Sequence, residues 1–179
     1  MLNRGEYLTT EELINSGVFI VGDNVRIART CTITEPESLC IGDNARIDGY
    51  TTITGKVNIG NNVHVGSNCA LIGGGYITLE PYSGLSHGVK LFSVADDLSG
   101  EHMVNPTNNN TNPKEGHIIL KRFAVACAGA IIMPDVTLEE GAVLGALSMA
   151  TKDLKEWGIY TGTPPRRVKN RSKKMREMV

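Results

Sequence analysis

Few side chains in this chain could move a proton near neutral pH, and they are densest in FSVADDLSGEHM, where Asp96 and Asp97 precede His102. A carboxylate beside an imidazole orients the ring and raises its basicity, so this stretch predicts a carboxylate–imidazole pair suited to general-base work. The other histidines are His117, His87 in LSHGVKL, and His64. Successive histidines are at least fifteen residues apart, and Cys31, Cys40, Cys69 and Cys127 form no CxxC pair, so no metal site is expected. Cys127 has no histidine near it in sequence, which argues against a covalent thiol step. A second chemistry is suggested by RRVKNRSKKMR, with seven Lys or Arg between Arg166 and Arg176. Such a run suits a polyanion, an acidic surface, or plain solvation as a basic helix.

These residues must be held by something, and the sequence shows a six-residue period. Aliphatic residues open hexads at Val21, Ile27 and Ile33, at Ile41 through Leu71, at Leu79, Leu85 and Leu91, and again from Leu120 to Ala150. Position five is small or β-branched, as at Ala45, Thr51, Val63, Ala130 and Ser148. Position two is often glycine or another turn-tolerant residue, and Gly, Asn and Asp tolerate the positive φ that corners can require. A period of six matches neither a helix nor an ordinary strand. It predicts a triangular coil in which each hexad makes one short strand and one corner and three hexads close a turn. The expected fold is all-β, a left-handed parallel β-helix of about six coils, roughly 29 Å tall at about 4.8 Å per coil.

Departures from the period divide the chain. Residues 1–19 form a cap, where Thr9-x-x-Glu12 reads as a capping box opening a short helix that Gly17 closes. Residues 20–155 form the β-helix, broken by an extruded loop at 92–119. A loop of that length is usually functional or disordered. Its start carries the charge and His102, whereas its end, NPTNNNTNP, reads as mobile. Residues 156–179 form a basic tail, helix-compatible after Pro164 and Pro165. The net charge of −1 favours neither nucleic acid nor a membrane surface, no stretch is long and apolar enough to span a bilayer, and the start lacks a signal-peptide core. A cytoplasmic protein with reduced cysteines is expected.

The hexads, the single extruded loop and the ending TKDLKEWGIYTGTPPRRVK resemble the hexapeptide-repeat acetyltransferases, especially the galactoside and maltose branch and the sugar O-acetyltransferases. The resemblance covers about residues 20 to 170. It implies a homotrimer with active sites between neighbouring prisms, acetyl-CoA as co-substrate, no metal, and a small sugar acceptor. Acetyl transfer to a sugar hydroxyl is the leading expectation, with N-acetylation of a nucleotide-linked amino sugar as the alternative. Matched to the family, Val125, Ala128, Ala146, Thr151 and Lys152 line the CoA groove, and Arg167 and Lys169 meet its phosphates. Val125 departs from the aromatic common in the branch.

In the family a histidine stands where the loop leaves the prism; here that register falls on Asp96. The base therefore stays open among Asp96, Asp97, His102, His117 and His87. His117, three residues before Leu120, has a spacing that resembles a functional histidine of serine acetyltransferases. Two other classes compete. A β-helix zinc carbonic anhydrase would need two histidines five residues apart, which are absent. A non-catalytic binding module would have no use for CoA.

Overall fold

The structure, a computed structural model, describes residues 6–104 and 110–179. It is the left-handed parallel β-helix that the hexads predict, with six complete coils and a partial seventh. The hexad openings stack as rungs on three walls. On the first wall Val21, Ile41, Ile59, Leu79, Leu120 and Leu138 lie in register, and Leu154 bridges onto Leu138. The second carries Ile27, Ile47, Val65, Leu85, Ala126, Leu144 and Tyr160. The third carries Ile33, Ile53, Leu71, Leu91, Ile132 and Ala150. Most of these side chains are fully buried and pack against the small position-five residues, so one apolar column runs the length of the prism. Each large aliphatic so buried contributes roughly 1.5–3 kcal/mol.

The corners turn at position four and not at the position-two glycines. Positive φ falls at position four, where Asn24, Asn44, Tyr50, Asn62, Asn68, Tyr82, Phe123, Asp135 and Leu147 have φ between 54° and 64°. The glycines at position two are needed for space instead. A Cβ on Gly60 would stand 2.8 Å from the backbone N of Pro81 and 2.9 Å from the carbonyl of Leu79. The next coil presses against the corner there.

The loop is rooted in the glycines of the coil beneath. The buried Ser93 hydroxyl donates to the Ile72 carbonyl at 2.9 Å and accepts from the Gly75 N–H at 3.1 Å. A Cβ on Gly74 would meet Val94. Val94–Ala95 then pairs antiparallel with Lys114–Glu115, so a short stem closes the loop and its true extrusion is narrower than 92–119. Much of the Asn-rich end, at residues 105–109, lies outside the described residues.

Both ends of the prism are covered. At the N-terminus a helix at Thr10–Asn15 starts with the expected box, Glu12 N–H to Thr9 Oγ1 and Thr9 N–H to Glu12 Oε2, and plugs the prism with the buried Leu13. The C-terminal run departs from a basic helix. Strand Gly158–Gly162 continues the second wall, strand Pro165–Asn170 folds back antiparallel on it, and only a short 3-10 segment at Lys174–Met178 is helical. An open last rung presents unpaired backbone groups, and the returning strand satisfies them. Arg171, half-buried, donates to the carbonyls of Phe123 at 2.7 Å and Gly141 at 3.2 Å and fastens the tail to the prism.

Candidate functional site

The loop start is built around Asp97. Its Oδ1 accepts the Ser99 N–H at 2.9 Å, and its Oδ2 meets His102 Nδ1 at 2.9 Å and the Asn112 amide at 3.4 Å. Hydrogen bonds from Ser99, then from His102 and Asn112, hold this nearly buried carboxyl well below the usual carboxylate range against the opposing effect of desolvation. An ionised Asp97 requires a proton on His102 Nδ1, which leaves Nε2 of a neutral ring as an acceptor. The carboxylate–imidazole pair is therefore present, with Asp97 rather than Asp96 as its orienting member. Asp96 is exposed and shares a cleft of about 390 Å³ with Asp97, Met103 and Pro113.

A second cleft, of about 220 Å³, opens on the second wall where His64, Gly84, Ser86, His87 and Val125 meet. His87 Nδ1 accepts the Ser67 N–H at 3.0 Å, so a neutral ring carries its proton on Nε2. That geometry suits His87 to donate to a developing oxyanion and not to take a proton. Backbone bonds run from Gly88 N–H to the Ser67 carbonyl, from Gly129 N–H to that of His87, and from Leu147 N–H to that of Ala128. Ser67, His87, Ala128 and Ala146 thus occupy one corner on successive coils. Ala128 and Ala146 are exposed and small, so on the two coils beyond His87 this position carries only a methyl group.

Near the last coil Thr151 and Lys152 line a cleft of about 320 Å³ with Tyr160, Pro165 and Arg166. The cation brought to Lys152 is Arg166. Arg167 lies in a separate cleft beside Trp157, with its guanidinium directed at the Glu156 and Trp157 carbonyls at 3.4 and 3.5 Å, and Lys169 pairs across the strand with Ile159. His117 is also set apart. Its Nε2 lies 2.8 Å from Thr78 Oγ1 and its ring packs on Tyr76 at 5.7 Å, beside a larger cleft lined by Phe19, Lys56 and Tyr76. Burial pushes the Cys127 thiol up, away from the thiolate a covalent step would need. Among the described residues no cluster of three His, Cys, Asp or Glu could hold a metal ion, and no helix is long and apolar enough to cross a membrane.

Two lining residues escaped the sequence reading. Ser86 fills a position-two slot that looks like any corner, and Arg166 was passed over for its neighbours. Only stacking between coils shows what either one faces.

No protein-family model matches the chain. The dTDP-4-amino-4,6-dideoxy-D-glucose acyltransferase of Escherichia coli is 31% identical over 177 residues, spanning 96% of this chain and 92% of that protein. A serine variant of AntD, an N-acyltransferase from Bacillus cereus in complex with dTDP-4-amino-4,6-dideoxyglucose and coenzyme A, superposes with a TM-score of 0.95 at 35% identity, over 98% of this chain and 96% of that one. AntD has also been solved with an aspartate replaced. A maltose O-acetyltransferase from Clostridium difficile 630 matches with a TM-score of 0.58 at 20% identity, a likeness of fold alone, over 97% of this chain and 80% of that one. The strong matches are therefore to nucleotide-sugar N-acyltransferases and not to the galactoside and maltose branch. Prism, extruded loop and full-length likeness agree: the chain belongs to the hexapeptide-repeat acyltransferases.

Proposed function

We propose that the protein transfers an acyl group from coenzyme A to the amino group of a nucleotide-linked amino sugar, in a homotrimer whose clefts lie between copies. The observation that carries this reading is the near-full-length likeness to AntD, whose complex pairs an amino-sugar nucleotide with coenzyme A. It replaces sugar hydroxyl acetylation as the leading expectation.

The loop chemistry supports an amine acceptor. A hydroxyl is a poor nucleophile until a strong base removes its proton, which suits an imidazole. A neutral amine attacks a thioester carbonyl unaided and becomes strongly acidic once the N–C bond has formed, so a carboxylate suffices to take its proton. Asp96 stands at the register where the resembling family carries histidine. Moreover, the AntD variants alter one serine and one aspartate with the spacing that Ser86 and Asp96 have here. In this reading the amine attacks the thioester carbon, His87 Nε2–H or the Ser86 hydroxyl steadies the oxyanion, Asp96 receives the proton, and the thiolate of coenzyme A leaves. Asp96 and Ser86 open into different clefts of one chain, so a rotationally related copy supplies one to the other. In this reading the pantetheine arm passes Ala128 and Ala146 toward the cleft of Thr151, where Lys152 and Arg166 are cations fit for the phosphates.

The test is thiol release from acetyl-CoA and longer acyl-CoAs, offered a dTDP-linked 4-amino sugar, galactosides and maltose. Turnover confined to the amino sugar is expected, with Asp96→Asn lowering kcat about 10²–10⁴-fold at unchanged melting temperature. Turnover of the plain sugars alone would return the reading to O-acetylation.

A further inference from the structure

The outward residues of the second wall change character along the prism. In register from the first coil upward they are Arg26, Arg46, His64, Gly84, Val125, Val143 and Ile159. Below Gly84 the wall is cationic or imidazole, above it aliphatic, and the cleft of His87 and Ser86 opens at the join.

The lower half is a built array. Asp48, almost buried, grips Arg46 Nε at 2.7 Å and His64 Nε2 at 2.8 Å, which fixes both side chains on the wall. Asp48 takes the Arg46 Nε, and the Arg46 side chain also interacts with Tyr7, so the guanidinium is held on the wall from two sides. Arg26 is exposed and has no carboxylate partner among the described residues; its guanidinium lies 6.0 Å from the centre of the Tyr7 ring. Asp48 offsets the charge of Arg46, whereas among the described residues Arg26 has only the Tyr7 ring beside it.

Gly84 supplies an independent observation. Its φ is not positive, and a Cβ there would meet only the His64 carbonyl at 3.5 Å, an ordinary contact. Unlike Gly60, it is required neither by a turn nor by a neighbouring coil. A side chain would fit the protein but would fill the cleft between His87 and the cationic rungs.

We propose that Arg26, Arg46 and His64 seat the diphosphate of the acceptor, and that Gly84 is the notch through which its sugar reaches the thioester. Donor and acceptor thus enter from opposite ends of one wall, the pantetheine arm from the last coils and the nucleoside diphosphate from the first. This inference rests on the nucleotide-sugar reading above. Arginine presents paired donors matched to phosphate oxygens, and Tyr7 beside Arg26 adds an aromatic face at the nucleoside end.

The experiment is calorimetric titration of the full chain with dTDP and, separately, with coenzyme A, on the wild type, Arg26→Gln, Arg26→Gln/Arg46→Gln and Gly84→Ala, each checked by melting temperature. The double variant should weaken dTDP at least tenfold and leave coenzyme A within twofold. Arg26→Gln, which breaks no ion pair, should weaken dTDP several-fold even if the double variant fails to fold. Gly84→Ala should bind both probes yet lose at least tenfold in turnover of the amino-sugar nucleotide. Unchanged dTDP affinity in folded arginine variants, or an equal loss of coenzyme A affinity, overturns the cationic seat; full turnover by Gly84→Ala overturns the notch. A wild type that takes coenzyme A but ignores dTDP overturns the nucleotide-sugar reading itself.

Discussion

The walls of the prism and the loop that leaves it are held by different physics. In the walls each rung is fixed by the one beneath, through backbone bonds and a continuous apolar column, so neighbours about twenty residues apart in sequence, or about forty across the extruded loop, specify each position. The described part of the loop has a two-residue stem, the Ser93 anchor and the hydrogen bonds of one carboxylate, Asp97. The difference teaches that this chain stores stability in its repeat and places acid–base groups where the repeat is broken.

That division makes graded predictions. Leu71 is fully buried between Ile53 and Leu91, and Leu71→Ala should lower unfolding free energy by about 2–5 kcal/mol in a denaturant titration. A loss below about 1 kcal/mol would mean that the walls are not the store. Gly60→Ala forces a Cβ against backbone and should cost about 1–3 kcal/mol, whereas Gly84→Ala should stay within about 0.5 kcal/mol. Equal effects would erase the distinction between a glycine the coil needs and one the cleft needs.

The smallest global effect is expected in the loop. Asp97→Asn should leave the melting temperature unchanged while limited proteolysis within the loop accelerates. The sign of its pH dependence follows from the lowered pKa. Whatever Asp97 contributes is present above the ordinary carboxylate pKa of about 4 and is lost only as pH falls through its depressed folded value. Loop cleavage should therefore show no rise attributable to Asp97 between pH 8 and about pH 4, measured with proteases active across that range. A marked rise near pH 5 in the wild type, absent from Asp97→Asn, would contradict this.

Much of the fold was legible because an aliphatic every six residues has one packing solution, and the rungs follow the hexads from Val21 to Ala150. The corners were legible in part. Gly, Asn and Asp were expected to tolerate positive φ, and Asn24, Asn44, Asn62, Asn68 and Asp135 adopt it at position four, but Tyr82 and Leu147 adopt it there too, held by the coil and not by local preference. The tail read as helix because its composition permits one, and a final rung with a free edge outweighs that preference. In the site, the pairing of a carboxylate with His102 was readable from proximity in sequence. The column from Arg26 to Gly84 was not, since its members are eighteen or twenty residues apart and each alone is an ordinary wall position.

A wall whose rungs stack without slippage is also a ruler. Gly84 lies three graduations from Arg26 and three from Ile159, about 14 Å each way at about 4.8 Å per graduation. The scaffold can lengthen or shorten either arm only by whole coils, so finer adjustment to a longer or shorter substrate falls to the reach of individual side chains, as between arginine and lysine on a single rung.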